Sequence, residues 1–506
     1  MGDSVKRAAV RELIETGELS VIPKGPGVND VPDEPLDAAW LADILERRRR
    51  LHANPAYEMP VYRDFFKKPD LTELEVDRLL ETMAVAATRP EDFLDAVVQE
   101  RSILGDIAAG ASCAVKIPMH FPTREVTAVQ KEQLNKLRQR YPVLEGVEVN
   151  PNDHHFEFCD PKWWPLLHAK LEEVMQRWPK GLAPYRSHTD SPTSFVYQAT
   201  KPTTKIALLA DFGVGQYQTQ CISKQLVAKA YPYVFHCGDV YYAGTEAEFQ
   251  TNWMGHVGPI LNVSTFFGLC ENHELYSGGK AYLAFLDHER LTTKRMCQEG
   301  SYFCVRFPKH QVIGIDVNWN GRQRFRHKAS RQWLADRLRE GDAQKLTTIL
   351  LTGSAPYVYG DNGTTKLYDD LLEWSEQGHF AAILWGDDHY AALFERSDRT
   401  NFVGACIGHG GYPGDVRKPN GQCFARPLWV ETEPRFPRDP EFDKLRHDLG
   451  NNGWCELELF EDGGIDVTYV DWLGAKRFWA SYRWEQALIP RFQLVEHKAF
   501  DRATLH

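Results

Sequence analysis

No CxxC pair occurs among the ten cysteines of this 506-residue chain. That leaves neither the ligand spacing of a zinc ribbon nor a thioredoxin-type redox pair. No segment approaches about 18 consecutive apolar residues, so no membrane-spanning helix is expected. The opening stretch MGDSVKRAAVRELIETGELS lacks an apolar core of signal-peptide length. It begins Met-Gly, but Lys6 stands where an N-myristoylation signal wants Ser or Thr. Positive charge is also short: the formal net charge is −11, which points away from nonspecific binding to nucleic acid or anionic membrane. Cytoplasmic residence with free thiols is the reading these absences leave, since most of the cysteines sit in apolar segments where a reduced thiol packs as a small hydrophobe.

What is present is the makeup of an ordinary folded protein, 43% apolar and 25% charged. At about 150 residues per domain, the length calls for one large domain plus a substantial extra module. Residues 1–195 read as a mainly helical region. DEPLDAAWLADILERRRRL puts Leu36, Trp40, Leu41, Ile44, Leu45 and Leu51 at helical spacing. DLTELEVDRLLETM opens with Asp70 and has Glu73 three residues later, the pattern of a capping box. RPEDFLDAVVQERSIL and PLLHAKLEEVMQRW are further amphipathic helices. The run Arg47 to Arg50 reads as a solvated helix face, and His154-His155 as a turn leading into a strand. SHTDSPTS reads as a linker.

From about residue 196 to 490 the texture changes. Apolar strands (KIALLADFG, YVFHCGD, STFFGLCENHE, SYFCVRF, QVIGIDVN, TTILLTGSAP, FAAILWGDDH) alternate with helices such as QTQCISKQLVAKAYP, SRQWLADRLREG and KLYDDLLEWSEQG. This is the alternation of an α/β domain. Gly341 is placed as a helix stop. WCELELFEDGGIDVTYVDW alternates as an antiparallel hairpin with Glu461-Asp462-Gly463-Gly464 as its turn. Residues 491–506 read as a C-terminal tail.

Four of the strands end in residues that ligate metals. LLADFG ends at Asp211. GDVYY supplies Asp239, with Tyr242 three residues on. ENHE supplies Asn272 and His273, and GDDH supplies Asp387 and His389. Loops at the C-terminal ends of strands are where α/β folds place their sites. One such aspartate is commonplace; four polar strand ends in sequence are not.

In order and spacing these motifs resemble those of the calcineurin-like metallophosphoesterases, and within them the purple acid phosphatase branch. That family carries Gly-Asp-x-Gly, Gly-Asp-x-x-Tyr, Gly-Asn-His-Glu/Asp, Val-x-x-His and Gly-His-x-His in order. Here they stand as ADFG, GDVYY, ENHE, a fourth at GSAP, and GDDH. GHGGY, residues 408–412, is similar to a glycine-rich stretch late in that branch. The likeness covers about residues 203–485. It implies a metallophosphoesterase-type β-sandwich flanked by helices (αββα layers). It also implies hydrolysis of a phosphorylated small molecule or other phosphoester by a metal-bound hydroxide. In the implied site Asp239 bridges two metals, and Asp211, Tyr242 and His389 complete the first, a donor set suited to iron. Asn272 belongs to the second metal. His273 meets the phosphate or protonates the leaving oxygen, and Glu274 orients that imidazole.

Two departures fall on the second metal. Ser354 stands where the family has a histidine, two residues before Pro356, and Asp387 replaces another. What remains is an oxygen-rich set of Asp239, Asn272, Asp387 and Ser354, which favours Mn, Mg or Ca, or else an empty position. His409 is a possible substitute ligand, and Asp388 reads as a solvated loop carboxylate. Beside hydrolysis, two alternatives stay open: a catalytically degenerate metal- and ligand-binding member of the fold, and a mononuclear ferric-tyrosinate site used for other chemistry.

Overall fold

The computed structural model describes residues 38–65, most of 72–80, most of 128–149, and 182–500 apart from 202, 320–322, 398, 415, 418–422, 436–448 and 486–490. The helices expected over 89–104 and 165–178, and the His154-His155 pair, lie outside the described residues. The chain divides into two compact units: residues 1–120 with 155–178, and residues 121–154 with 179–506.

In the first unit, α1 (Ala38–Ala53) forms where helical spacing predicts a helix, and a second helix that the spacing does not point to, α2 (Pro55–Phe65), follows it. Ile44, Leu51 and Tyr62 are fully buried. The arginine run is not one solvated face. Arg47 is buried, and Arg48 holds Asp77 through Nε (2.5 Å) and Nη2 (3.0 Å). Arg49 is exposed and pairs with Glu46. Successive residues of a helix point about 100° apart, so four arginines in a row cannot share one face.

The second unit is built on two sheets. Its strands are β1 (Val196–Gln198), β2 (Lys205–Leu209), β3 (Tyr233–His236), β4 (Thr265–Gly268), β5 (Phe303–Arg306), β6 (His310–Ile315), β7 (Thr347–Thr352) and β8 (Ala382–Trp385). They continue with β9 (Ala391–Phe394), β10 (Val403–Ile407), β11 (Pro427–Val430), β12 (Gly453–Leu459), β13 (Ile465–Asp471), β14 (Lys476–Glu485) and β15 (Arg491–Ala499). One sheet runs β1-β5-β6-β7-β8-β10-β9-β11, the other β15-β14-β13-β12-β2-β3-β4.

The apolar runs are continuous because the strands are buried on both faces. On β2, Ile206 and Leu208 enter a core shared with the other sheet, while Ala207 and Leu209 face a second core. On β3 and β4 the same period of two sends Phe235 and Phe267 one way and Val234 and Phe266 the other. The second core is closed by α3 (Ala128–Arg140), α4 (Tyr217–Lys229), α5 (Gly255–Leu261) and the helix Lys280–Asp287. On the larger sheet, Lys328–Ala343 and Lys366–Glu376 connect β6 to β7 and β7 to β8, and their Trp333, Leu338, Leu371 and Trp374 join the shared core. The result is two sheets face to face with helices flanking them, the layering the sequence suggests.

Three expectations change. Gly341 lies inside the helix Lys328–Ala343 and does not end it. It faces Gln311 so closely that a Cβ there would come 2.1 Å from Nε2, which is why a glycine occupies a helical position. Where the sequence suggests a tail, β15 pairs with β14 as an edge strand. The segment 187–194 holds a short 3₁₀ turn, His188–Asp190, and Ser194 accepts the Trp333 indole N–H at 2.9 Å. The hairpin of β12 and β13 forms in the expected register, with Gly453 opposite Asp471 and Leu459 opposite Ile465. The described cysteines are unpaired thiols. Among the described residues no helix is long and apolar enough to cross a membrane.

Candidate metal centre

β2, β3 and β4 are parallel neighbours, and so are β6, β7, β8 and β10. Their C-terminal ends therefore share an edge within each sheet, and the two edges meet. Gly410 N–H donates to the Ala210 carbonyl at 3.1 Å, and Tyr412 N–H donates to the Asp211 carbonyl at 3.1 Å. Asp387 N–H donates to Asp211 Oδ2 at 3.0 Å. The approach requires glycines on the larger sheet: a Cβ on Gly386 would sit 2.8 Å from the Ala210 Cβ, and one on Gly408 2.9 Å from Asp211 Oδ2.

At that junction Asp211, Asp239 and His389 each offer a ligand atom within 4.8 Å of the others. Asp211 and Asp239 are buried, and His389 Nε2 lies 3.3 Å from Asp211 Oδ1. Asp211, Asp239, Asp387 and His389 all have positive φ, at 55°, 81°, 65° and 41°. Each such non-glycine residue costs on the order of 1–3 kcal/mol, and such strain concentrates at functional sites. Here it turns the chain sharply at the strand ends, so that side chains from separate strands converge.

The spacing of GDVYY assigns the phenol to Tyr242, but the hydroxyl that meets the three ligands is that of Tyr241. It lies 2.6 Å from Asp211 Oδ1, 3.1 Å from Asp239 Oδ2 and 2.8 Å from His389 Nε2. Gly238 and Asp239, both at positive φ, break the strand alternation just before the tyrosines, so counting along the strand does not give the direction of the next side chains. Tyr242 is held through its backbone. Its N–H donates to Glu248 Oε1 at 2.5 Å, and its carbonyl accepts the His273 Nδ1–H at 2.5 Å.

That last bond corrects the expected role of Glu274. The His273 ring is fixed by the Tyr242 carbonyl, while Glu274 Oε2 accepts the N–H groups of Asp239 (3.2 Å) and Glu271 (3.0 Å). Glu274 therefore shapes the two strand-end loops. Because a carbonyl takes the Nδ1 proton, the neutral His273 ring leaves Nε2 as its other functional atom. Asn272 donates from Nδ2 to the Tyr276 hydroxyl at 2.6 Å, and its Oδ1 is buried with no hydrogen-bond partner among the described residues.

Asp387 is half-buried and accepts from Gln323 Nε2 at 3.3 Å. Ser354 is buried, and its hydroxyl donates to Glu271 Oε1 at 2.6 Å. His409 stands apart from the triad, with its Nδ1 3.3 Å from the Ile407 carbonyl and its ring beside Tyr469. Asp388 is not a solvated carboxylate. It is half-buried, and burial, with the Asp387 charge, pushes it up to about 8. Besides Tyr241, two residues not singled out from the sequence belong to the centre. Tyr412 stacks on the His389 ring at 3.7 Å, and Glu271, which precedes Asn272 in the chain, is buried. Both lie within quoted motifs; the charge of Glu271 at the end of an apolar strand was the available signal.

The donor set fits a cation. Burial raises Asp211 to about 7, with a further push from Asp387, and holds Asp239 well above the carboxylate range, with Asp211 and Asp387 adding to it. Burial lowers His389 to about 4. Among the described residues the basic side chain within ion-pair distance of Asp211 is His389 alone, and that ring is neutral. Buried carboxylates beside a neutral imidazole are the environment that a positive ion stabilises, and the orphaned Asn272 Oδ1 is a further oxygen acceptor at the same edge.

No protein-family description matches the sequence, and no curated protein matches it. Solved structures with similarity include a purple acid phosphatase from yellow lupin (Lupinus luteus) seeds, at 14% identity and TM-score 0.42 over 55% of this chain and 52% of that one. The chain thus matches about half the length of the lupin protein. Another is GAP50, the anchor in the inner membrane complex of Plasmodium, at 15% identity and TM-score 0.40 over 60% of this chain and 93% of that one. A third is a dimetal phosphatase from Danio rerio, at 12% identity and TM-score 0.33 over 54% of this chain and 96% of that one.

Proposed function

We propose that the chain is a metal-dependent phosphoester hydrolase whose ion is held by Asp211, Asp239 and His389. The observation that carries this reading is the convergence of those three ligand atoms within 4.8 Å at the meeting edge of two sheets. Two carboxylates, an imidazole and the adjacent Tyr241 phenol form a donor set suited to iron, with manganese as the next choice. When bound, the ion supplies a Lewis acid for a phosphoryl oxygen and lowers the pKa of a bound water.

The chain's own groups have separable tasks in this reading. His273 in its imidazolium form gives the Nε2 proton to the leaving oxygen and is left as the neutral ring, its Nδ1–H still on the Tyr242 carbonyl. Asn272 Oδ1 accepts from the substrate or meets the ion, its amide anchored through Tyr276. Tyr412 stacks on one face of His389 and limits rotation of that ring. The substrate is a phosphorylated small molecule or another phosphoester.

The test is turnover of para-nitrophenyl phosphate and its bis ester by the full chain loaded with Mn²⁺, Mg²⁺ or iron. Hydrolysis that falls to background in Asp239→Asn is expected. His273→Ala is expected to lower kcat by about 10²–10⁴-fold. A metal-loaded chain that turns over neither ester contradicts the hydrolytic reading. It would favour a binding module instead, a second reading supported by the engagement of Ser354 with Glu271.

A further inference from the structure

Glu271 is a buried carboxylate in a fitted socket between the two sheets. It follows β4 in the smaller sheet and is 1% exposed. Its Oε1 accepts from the Ser354 hydroxyl at 2.6 Å, just past β7 in the larger sheet. The same oxygen accepts from Asn318 Nδ2, which also donates to Ser354 Oγ at 3.3 Å. Two glycines flatten the walls. A Cβ on Gly238 would lie 2.5 Å from the Glu271 Cβ, and one on Gly353 would lie 1.8 Å from Oε2. No ordinary side chain fits at either position while Glu271 stays in place.

The socket adjoins the triad through sequence: Gly238 precedes Asp239, and Glu271 precedes Asn272. Ser354, a weak ligand already, both donates and accepts inside the socket, so its hydroxyl is committed. Among the described residues, the one group of three or more His, Cys, Asp or Glu side chains with mutually close ligand atoms is Asp211, Asp239 and His389. Neither Glu271 nor Asp387 joins a second such group. We infer that Glu271, bonded to Ser354 and Asn318, closes the position beside the triad and holds the centre to one metal ion per chain. This rests on the reading that the triad binds metal. It assigns Glu271 a part in setting metal stoichiometry, as a wall and not as a ligand.

The test is the number of Mn²⁺ ions retained by the full chain after loading and desalting, measured by elemental analysis. Wild type is expected to retain one, and so is the near-isosteric Glu271→Gln. A variant combining Glu271→Gly with Ser354→His, which empties the socket and offers an imidazole, is expected to retain two, with its fold checked by circular dichroism and thermal melting. Two ions in wild type, falling to one in Glu271→Gln, would make Glu271 a ligand and overturn the inference while leaving the metal reading intact. A folded double variant that still retains one ion would overturn it as well. No ion in wild type would remove the metal reading, and the inference with it.

Discussion

Tyr241 and Tyr242 are adjacent and both buried, and it is the Tyr241 hydroxyl that meets the metal ligands. The Tyr241 oxygen is within 3.1 Å of atoms on Asp211, Asp239 and His389. Tyr241→Phe should therefore weaken iron or manganese binding by about tenfold or more, in the range seen when groups supporting metal ligands are removed. If iron is bound, the same change should remove a phenolate-to-iron absorption band. Tyr242→Phe should have the smaller effect on both, and titration of each variant with metal under a visible spectrum separates the two tyrosines. The sequence placed a phenol at this strand end but chose its neighbour, because motif spacing counts residues and does not see a chain turned by positive φ at Gly238 and Asp239. The family resemblance gave Glu274 the task of orienting the His273 imidazole, yet its carboxylate turns back to two backbone N–H groups.

At the scale of elements, the centre depends on how closely the ends of β10 and β2 approach. A Cβ on Gly410 would lie 2.1 Å from the Ala210 carbonyl oxygen, a backbone atom that cannot swing away. Gly410→Ala should cost about 1–3 kcal/mol, as overpacking commonly does. It should also reduce metal affinity, because Asp211 follows Ala210 directly. Denaturant unfolding and metal titration on the same variant check both effects. The buried parallel strands were legible because burial on two faces leaves uninterrupted apolar runs such as TTILLT and AILW. β15 was not. In RFQLVEHKA apolar and charged residues mix on an exposed edge, a pattern that reads as a tail until a pairing partner is known. Gly341 was read as a stop from local preference, while its actual reason is the close packing of Gln311, distant in sequence.

Across the molecule, one buried ion pair links the sheets away from the site. Arg477 on β14 donates from Nε to Glu431 Oε2 at 2.8 Å, just past β11, and both side chains are almost wholly buried. Burial alone would raise Glu431, but the hydrogen bond and charge of Arg477 outweigh it and hold the carboxyl below its ordinary 4.5. A depressed folded-state pKa contributes stability above the unfolded value, and that contribution is lost as pH falls through the folded value. Glu431→Gln should thus destabilise the fold at pH 7 by about 3–5 kcal/mol, nearer the lower figure because Glu433 also pairs with Arg477. The difference from wild type should shrink below about pH 4.5, as thermal melts across that range would show. Sequence patterning conveys layers and strand ends but not pairings of this kind, because Glu431 and Arg477 meet only once both sheets have formed.

The measurement that bears most directly on the proposed centre is calorimetric titration of Mn²⁺ into the metal-stripped full chain, in parallel with Asp239→Asn and His389→Ala. Saturable binding in wild type, weakened by at least about tenfold in each variant, is the expected result. Wild-type affinity retained in both variants would contradict it, because the ion would then be held somewhere other than where Asp211, Asp239 and His389 converge.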